Sequence, residues 1–212
     1  MARTIVFGGH GKIALRLARL LTADGGQVSA VVRNPHHEPD VRAAGADPVL
    51  ADVQRLSTDR LAELIRGHDA VVWSAGAGGG NPARTYAVDR DAAIRSMDAA
   101  GRAGVSRYVM VSYFGAGPDH GIPLDEPFFH YAESKAAADE HLRGTDLDWT
   151  VLGPSKLTEQ PGTGRIGVGT ERGEVSRDNT ARVIAAVLSR PDAAGRTIEF
   201  NDGDTPIEQA LG

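Results

Sequence analysis

Short, wholly apolar runs alternate along this chain with longer stretches in which apolar residues recur every three or four positions. The short runs read as strands: Ile5 to Phe7, Gln27 to Val32, Pro48 to Leu50, Asp69 to Trp73, Arg107 to Val111, Trp149 to Leu152 and Thr197 to Phe200. Between them the spacing predicts helices at Ile13 to Leu21, Val41 to Gly45, Leu56 to Ile65, Tyr86 to Ala103, Tyr131 to Leu142 and Thr180 to Leu188. Strands that alternate with helices need crossover connections, and hence a parallel sheet. Strands apolar on both faces are those that helices cover on both sides. The pattern therefore predicts a doubly wound α/β fold, a single domain over residues 1–212. Residues 159–174 hold five glycines and a proline, which predicts a loop or a small hairpin within a C-terminal region that acts as a lid.

The first strand runs straight into Gly8, Gly9 and Gly11, and a helix follows at once. Free backbone N–H groups and the positive end of the helix dipole then face one point, which makes an anion site. Glycine allows the turn and leaves room for a phosphate. The spacing is G-x-x-G-x-x-A. In such a fold, ligands lie at the carboxyl ends of the strands where the strand order reverses. The end of the second strand then indicates which cofactor. A site for NAD usually places an acid there to meet the ribose 2′-hydroxyl. This chain has Arg33, with no acid from Gln27 to His37. A guanidinium fork suits a 2′-phosphate, so NADP(H) is favoured over NAD(H). Lys12 either adds charge near that phosphate or lies on the helix surface. Asp52 follows the third strand, where it meets an adenine amine or serves as a turn aspartate. Ser74, Ala75 and Gly76 end the fourth strand, small enough for a ribose to lie against them or simply loop residues.

Composition narrows the chemistry. There are no cysteines among the 212 residues, so disulfides and thiolate chemistry are excluded. The net charge of −5, with no basic stripe, argues against a nucleic-acid partner. The seven histidines lack metal-ligand spacing, so no metal site is expected. No apolar run has the form of a signal peptide or a membrane span, so a cytoplasmic location is expected. Lysine is scarce: only Lys12, Lys135 and Lys156 occur among 23 basic residues. Each therefore raises a specific question.

Tyr131 and Lys135 stand four apart and share one helical face. A tyrosine is the acid needed to protonate a carbonyl oxygen as hydride arrives. Its ordinary pKa of about 10 would have to fall by roughly 2–3 units, or about 3–4 kcal/mol. An ammonium about 4–5 Å away supplies energy of that order. Ser112 ends the preceding strand, opens into the same crevice and would orient the carbonyl. Phe114, Phe128 and Phe129 would line an apolar pocket.

Taken together, several segments resemble the short-chain dehydrogenase/reductase superfamily, in its small atypical branch of NmrA-like and flavin/biliverdin reductase B-like proteins. They are Gly8 to Ala14, Val32 to Pro35, Ala51 to Val53, Val109 to Ser112, Tyr131 to Lys135, Leu147 to Pro154 and Gly203 to Ile207. The resemblance implies a Rossmann fold and NAD(P) bound along Gly8, His10, Gly11, Lys12 and Ile13. It extends the cofactor contacts to Arg33, Asn34, Asp52, Val53, Ser74, Ala75, Gly76, Lys135 and Pro154. It also matches Ser112, Tyr131 and Lys135 to the family's catalytic set. Two positions depart from the pattern. Ala14 closes the glycine motif, and Gly153 stands where the branch usually has arginine, with Lys156 close by as a replacement charge. The expected function is an NADP(H)-dependent reductase of a small carbonyl, quinone or flavin-like substrate. The alternative is an NADP(H) sensor that signals to a protein partner and catalyses little.

Overall fold

The central strands of the computed structural model alternate their side chains between two apolar cores, and that alternation sets the layers. The model describes residues 2–78, 81–169 and 171–212. The order begins β1 (Arg3–Phe7), α1 (Lys12–Ala23), β2 (Gln27–Val32), a 3₁₀ turn (Pro35–His37), α2 (Glu38–Ala43), β3 (Asp47–Leu50), α3 (Thr58–Ile65) and β4 (Ala70–Trp73). It continues with α4 (Pro82–Thr85), a π-helical stretch (Tyr86–Ala92), α5 (Ala93–Ala103), β5 (Arg107–Val111), α6 (Phe129–Arg143) and β6 (Asp148–Pro154). It ends with β7 (Lys156–Thr158), β8 (Arg165–Val168), β9 (Glu174–Ser176), α7 (Arg177–Leu188), a 3₁₀ turn (Pro191–Ala193), β10 (Arg196–Asp202), β11 (Thr205–Pro206) and α8 (Ile207–Ala210).

The main sheet runs β3-β2-β1-β4-β5-β6-β10-β8-β11, parallel from β3 to β10 and antiparallel beyond. Chain order reverses between β1 and β4, so the crevice outside their carboxyl ends is the switch point of a Rossmann fold. Val6 faces the core shared with α1 and α7, while Ile5 and Phe7 face the one shared with α3 and α5. Among the described residues, no helix is long and apolar enough to cross a membrane.

All seven predicted strands and all six predicted helices are present. The differences lie where periodicity carries little information. The helix expected from Tyr86 starts at Pro82, a favoured first position because proline has no N–H to satisfy. Asn81 Oδ1 caps it by accepting from Arg84 N at 3.0 Å. Its π-helical turn has no 3.6-residue signature to read. In the C-terminal region expected as a lid, β7 and β9 pair in parallel as a separate ribbon, whereas β8 joins β10. Strands of three or four residues split by glycines are too short to announce such pairings.

Candidate active site

The glycine turn is shaped by backbone geometry. Gly8 has φ +81°, and a Cβ there would lie 2.6 Å from Ala75 Cα. Only glycine allows β1 and the end of β4 to approach this closely. Gly11 N donates to Gly8 O at 2.8 Å and closes the turn. Gly11 puts no side chain over the N-terminus of α1, and the first turn of α1 holds no acid. The first amides of α1 are thus left for an anion.

A cavity of about 380 Å³ opens at this switch point. Its walls include Gly8, His10, Gly11, Arg33, Asn34, Asp52, Val53, Ser74, Ala75 and Gly76, ten of the residues expected to hold the cofactor. It also takes in His37, Gln54, Arg84 and Val88, which sequence reading missed. His37 and Arg84 lie outside the glycine motif, and the π-helical turn carries Val88 to the wall. Arg33 is exposed and meets no carboxylate among the described residues. Asp52 accepts from Gln54 N and pairs with Arg55, as a turn aspartate does, while it also lines the cavity.

The side chains of four other expected contacts lie away from this cavity wall, although the backbone amides of Lys12 and Ile13 are among those that open α1. Lys12 is on the helix surface, its Nζ 2.7 Å from Glu159 Oε1. Arg16 and Arg177 grip the same carboxylate. The C-terminal region is thereby tied to the start of α1. The Ile13 side chain belongs to the core, Pro154 ends β6 inside the protein, and Lys135 is buried beneath the site. Lys156 pairs with Glu174 in solvent and does not stand in for an arginine at Gly153.

A second cavity, of about 490 Å³, flanks the same helical segment. Arg84 and Val88 face the first cavity; Pro82 and Thr85 face the second, together with Asp125, Glu126, Phe128, His130 and Tyr131. Tyr131, Phe128 and Tyr113 pack in mutual contact, with ring centroids 5.1–5.7 Å apart. His130 Nδ1 lies 3.1 Å from Tyr86 Oη. Of the three phenylalanines expected to line a pocket, Phe128 does so. Phe114 is buried in the protein, and Phe129 packs on His120 and His130.

The expected catalytic set requires two corrections. Ser112 does not open into the crevice: it is buried and donates to Asp139 Oδ2 at 2.5 Å. Lys135 does not lower the Tyr131 hydroxyl. Burial drives that hydroxyl above the ordinary phenol range, and the Asp89 and Asp139 carboxylates push it further. Lys135 Nζ instead donates to Val111 O at 2.8 Å and lies 3.0 Å from Met110 Sδ. Burial lowers its pKa, against the pull of the Asp139 and Asp89 charges. Burial likewise raises both carboxyl groups, and the Lys135 charge opposes this. Asp89 Oδ2 accepts from Ala77 N at 2.9 Å and so braces the loop after β4. Among the described residues, Oδ1 of Asp89 and Oδ1 of Asp139 have no hydrogen-bond partner. The buried Asp89–Lys135–Asp139 group was invisible in the strand-and-helix pattern, although Lys135 and Asp139 are four apart on one helix.

Comparison with known proteins agrees with this geometry. Residues 8–191 match a family model described as NAD(P)H-binding. A Bacillus subtilis protein named as an uncharacterized sugar epimerase, YhfK, is 33% identical over 99% of this chain and 98% of its own length. A Bacillus halodurans structure, provisionally described as a NAD-dependent epimerase/dehydratase, superposes with a TM-score of 0.91 at 31% identity, covering 100% of this chain and 99% of that one. A Veillonella parvula short-chain dehydrogenase/reductase solved with NADP shares the fold, with a TM-score of 0.72 at 16% identity and 96% coverage of both chains. With its glycine turn, its switch-point cavity and a family match over most of its length, the chain belongs to the NAD(P)H-binding family of Rossmann-fold proteins.

Proposed function

We propose that this chain binds NADP(H) in the switch-point cavity and reduces a small carbonyl, quinone or flavin-like compound held beside Tyr131. The observation that carries the reading is the pair of adjoining cavities along one helical segment, one walled by the glycine turn and Arg33, the other by Tyr131. The residues fit the cofactor: the Gly8 turn leaves backbone room, the start of α1 is open, and Arg33 offers an exposed guanidinium that meets no carboxylate among the described residues. When bound, the cofactor supplies the hydride.

The protein's own groups do the rest. Arg33 holds the 2′-phosphate through charge-assisted hydrogen bonds. Ser74 to Gly76 present a small, backbone-lined wall. The Tyr131 hydroxyl, held above its ordinary pKa, keeps its proton at neutral and mildly alkaline pH and can give it to a substrate oxygen. Asp139 and Lys135 hold the end of β5 and the start of the following loop in position beneath it.

A sensor reading has its own support, because Ser112 and Lys135 are both engaged inside the protein. The relatives named as epimerases add a third possibility, in which hydride returns to the substrate and no cofactor is consumed. One experiment separates the three: NADPH oxidation followed with menadione, FMN and aromatic aldehydes, beside incubation with a uridine-diphosphate sugar and the bound cofactor, for the native protein, Tyr131→Phe and Arg33→Ala. Net oxidation, a drop of about 100-fold in aldehyde turnover for Tyr131→Phe, and NADPH binding weakened about 10-fold or more by Arg33→Ala are expected. Tight NADPH binding without turnover on any acceptor would favour the sensor. Epimerisation of a sugar nucleotide without net oxidation would favour the epimerase. No binding of either nicotinamide cofactor would overturn the proposal.

A further inference from the structure

His37 is the residue that the fold adds to Arg33 at the cavity's outer end. It stands on the 3₁₀ turn that follows β2, held there by its own backbone N–H to Asn34 O at 3.0 Å. Asn34 Oδ1 caps the turn by accepting from His36 N. The ring of His37 stacks on that of His10 from the glycine turn, with centroids 3.7 Å apart and planes 11° from parallel. The His10 ring is fixed in turn, its Nε2 2.8 Å from Asp40 Oδ2. Two rings from separate elements therefore meet at the wall of one cavity.

The charges around them are nearly all spoken for. Glu38 pairs with Arg42, Asp40 with His10, and Asp52 with Arg55. Among the described residues, three basic side chains of this cavity are left without a hydrogen-bond or ion-pair partner: Arg84 from the helical segment after β4, and, from the segment at and just after the end of β2, Arg33 and the ring of His37. The latter two line the same wall. A guanidinium and an imidazole with free N–H groups on one wall form a site for a compact anion with several acceptor oxygens.

We propose that His37 is a specificity-determining residue that shares the 2′-phosphate of NADP(H) with Arg33, with His10 as the ring that holds it in place. This rests on the cofactor reading above and adds a second reader to it. Even as a neutral ring, His37 donates one N–H to a phosphate oxygen; protonated, it donates two and carries charge. NADH has only a hydroxyl at that place, so His37 contributes little to NADH binding.

The test is calorimetric titration of the native protein, Arg33→Ala, His37→Ala and His37→Arg with NADPH and with NADH. The expected result is that His37→Ala weakens NADPH binding about 10-fold and changes NADH binding less than about twofold. His37→Arg should recover most of the NADPH affinity, because a guanidinium serves the same anion. Equal weakening of both cofactors by His37→Ala would overturn the proposal and leave the ring as a prop for the glycine turn. No change in either would overturn it as well. If Arg33→Ala is selective against NADPH and His37→Ala is not, only the His37 inference falls. If the native protein has no preference and neither variant is selective, the NADP(H) reading falls with it.

Discussion

Lys135 is wholly buried, and its charge is countered by those of Asp139 and Asp89. Removing one partner of such a group strands the others without water. Lys135→Met should therefore cost about 3–5 kcal/mol at neutral pH, measured by urea unfolding. The pH dependence has a definite sign. Burial raises both carboxyl groups, so above their unfolded pKa of about 4 the folded state holds more protons than the unfolded one. Their contribution to stability then falls as pH rises, while Lys135, held below its ordinary pKa, contributes in the opposite sense. Without the ammonium the carboxyl effect grows, so the loss in Lys135→Met should be larger at pH 8 than at pH 5. At this scale the sequence was legible in part. The spacing that pairs Tyr131 with Lys135 also pairs Lys135 with Asp139, and spacing does not say which neighbour takes the charge. Burial decides it: a carboxylate offsets the desolvation of an ammonium better than a phenol does. Arg33 was easier to read, because its place at a strand end needs only the local pattern.

Among the elements, the glycine turn and the edge of β6 show how backbone contact limits side chains. Gly153 lies within β6, where a Cβ would come 3.0 Å from Glu199 Cγ and 3.2 Å from Tyr113 O. Glu199 is in use there, accepting from Gly115 N at 2.6 Å. An arginine at this position, expected from the branch this chain resembles, would press its Cβ on the Tyr113 carbonyl and on the engaged Glu199 side chain. Gly153→Arg is expected to cost about 2 kcal/mol or more through overpacking and to lower the Tm by roughly 4–8 °C, read by calorimetry. The strand–turn–helix start was legible because its glycines, apolar run and helical spacing agree. The π-helical turn and the β7–β9 ribbon were not, since neither leaves a repeating period. The π-helical turn matters nonetheless, as it brings Val88 to the switch-point cavity and Asp89 beneath the loop after β4.

At the level of the whole molecule, the order of strands determines where the ligand goes, and the ligand in turn should stabilise the fold. NADPH at 100 times its Kd adds about 2.7 kcal/mol, which should raise the Tm by about 5–11 °C for a domain of this size. NADH at the same concentration should give a smaller shift, and a thermal melt with each cofactor checks it. The doubly wound sheet was readable from the alternation of strands and helices. The antiparallel edge beyond β10 was not, because it forms between segments that are distant in the chain and individually short.

The walls of the two cavities come from nearly separate lengths of chain. The first is built from residues between Gly8 and Val88, the second from those between Gly78 and Tyr131, and they overlap only along one short helical stretch. Descendants of this chain can therefore exchange Leu124 to Phe128 for a new surface while inheriting the same switch-point cavity. Under the proposed function, laboratory libraries confined to that loop would explore new acceptors without rebuilding the half of the molecule proposed to bind the nucleotide.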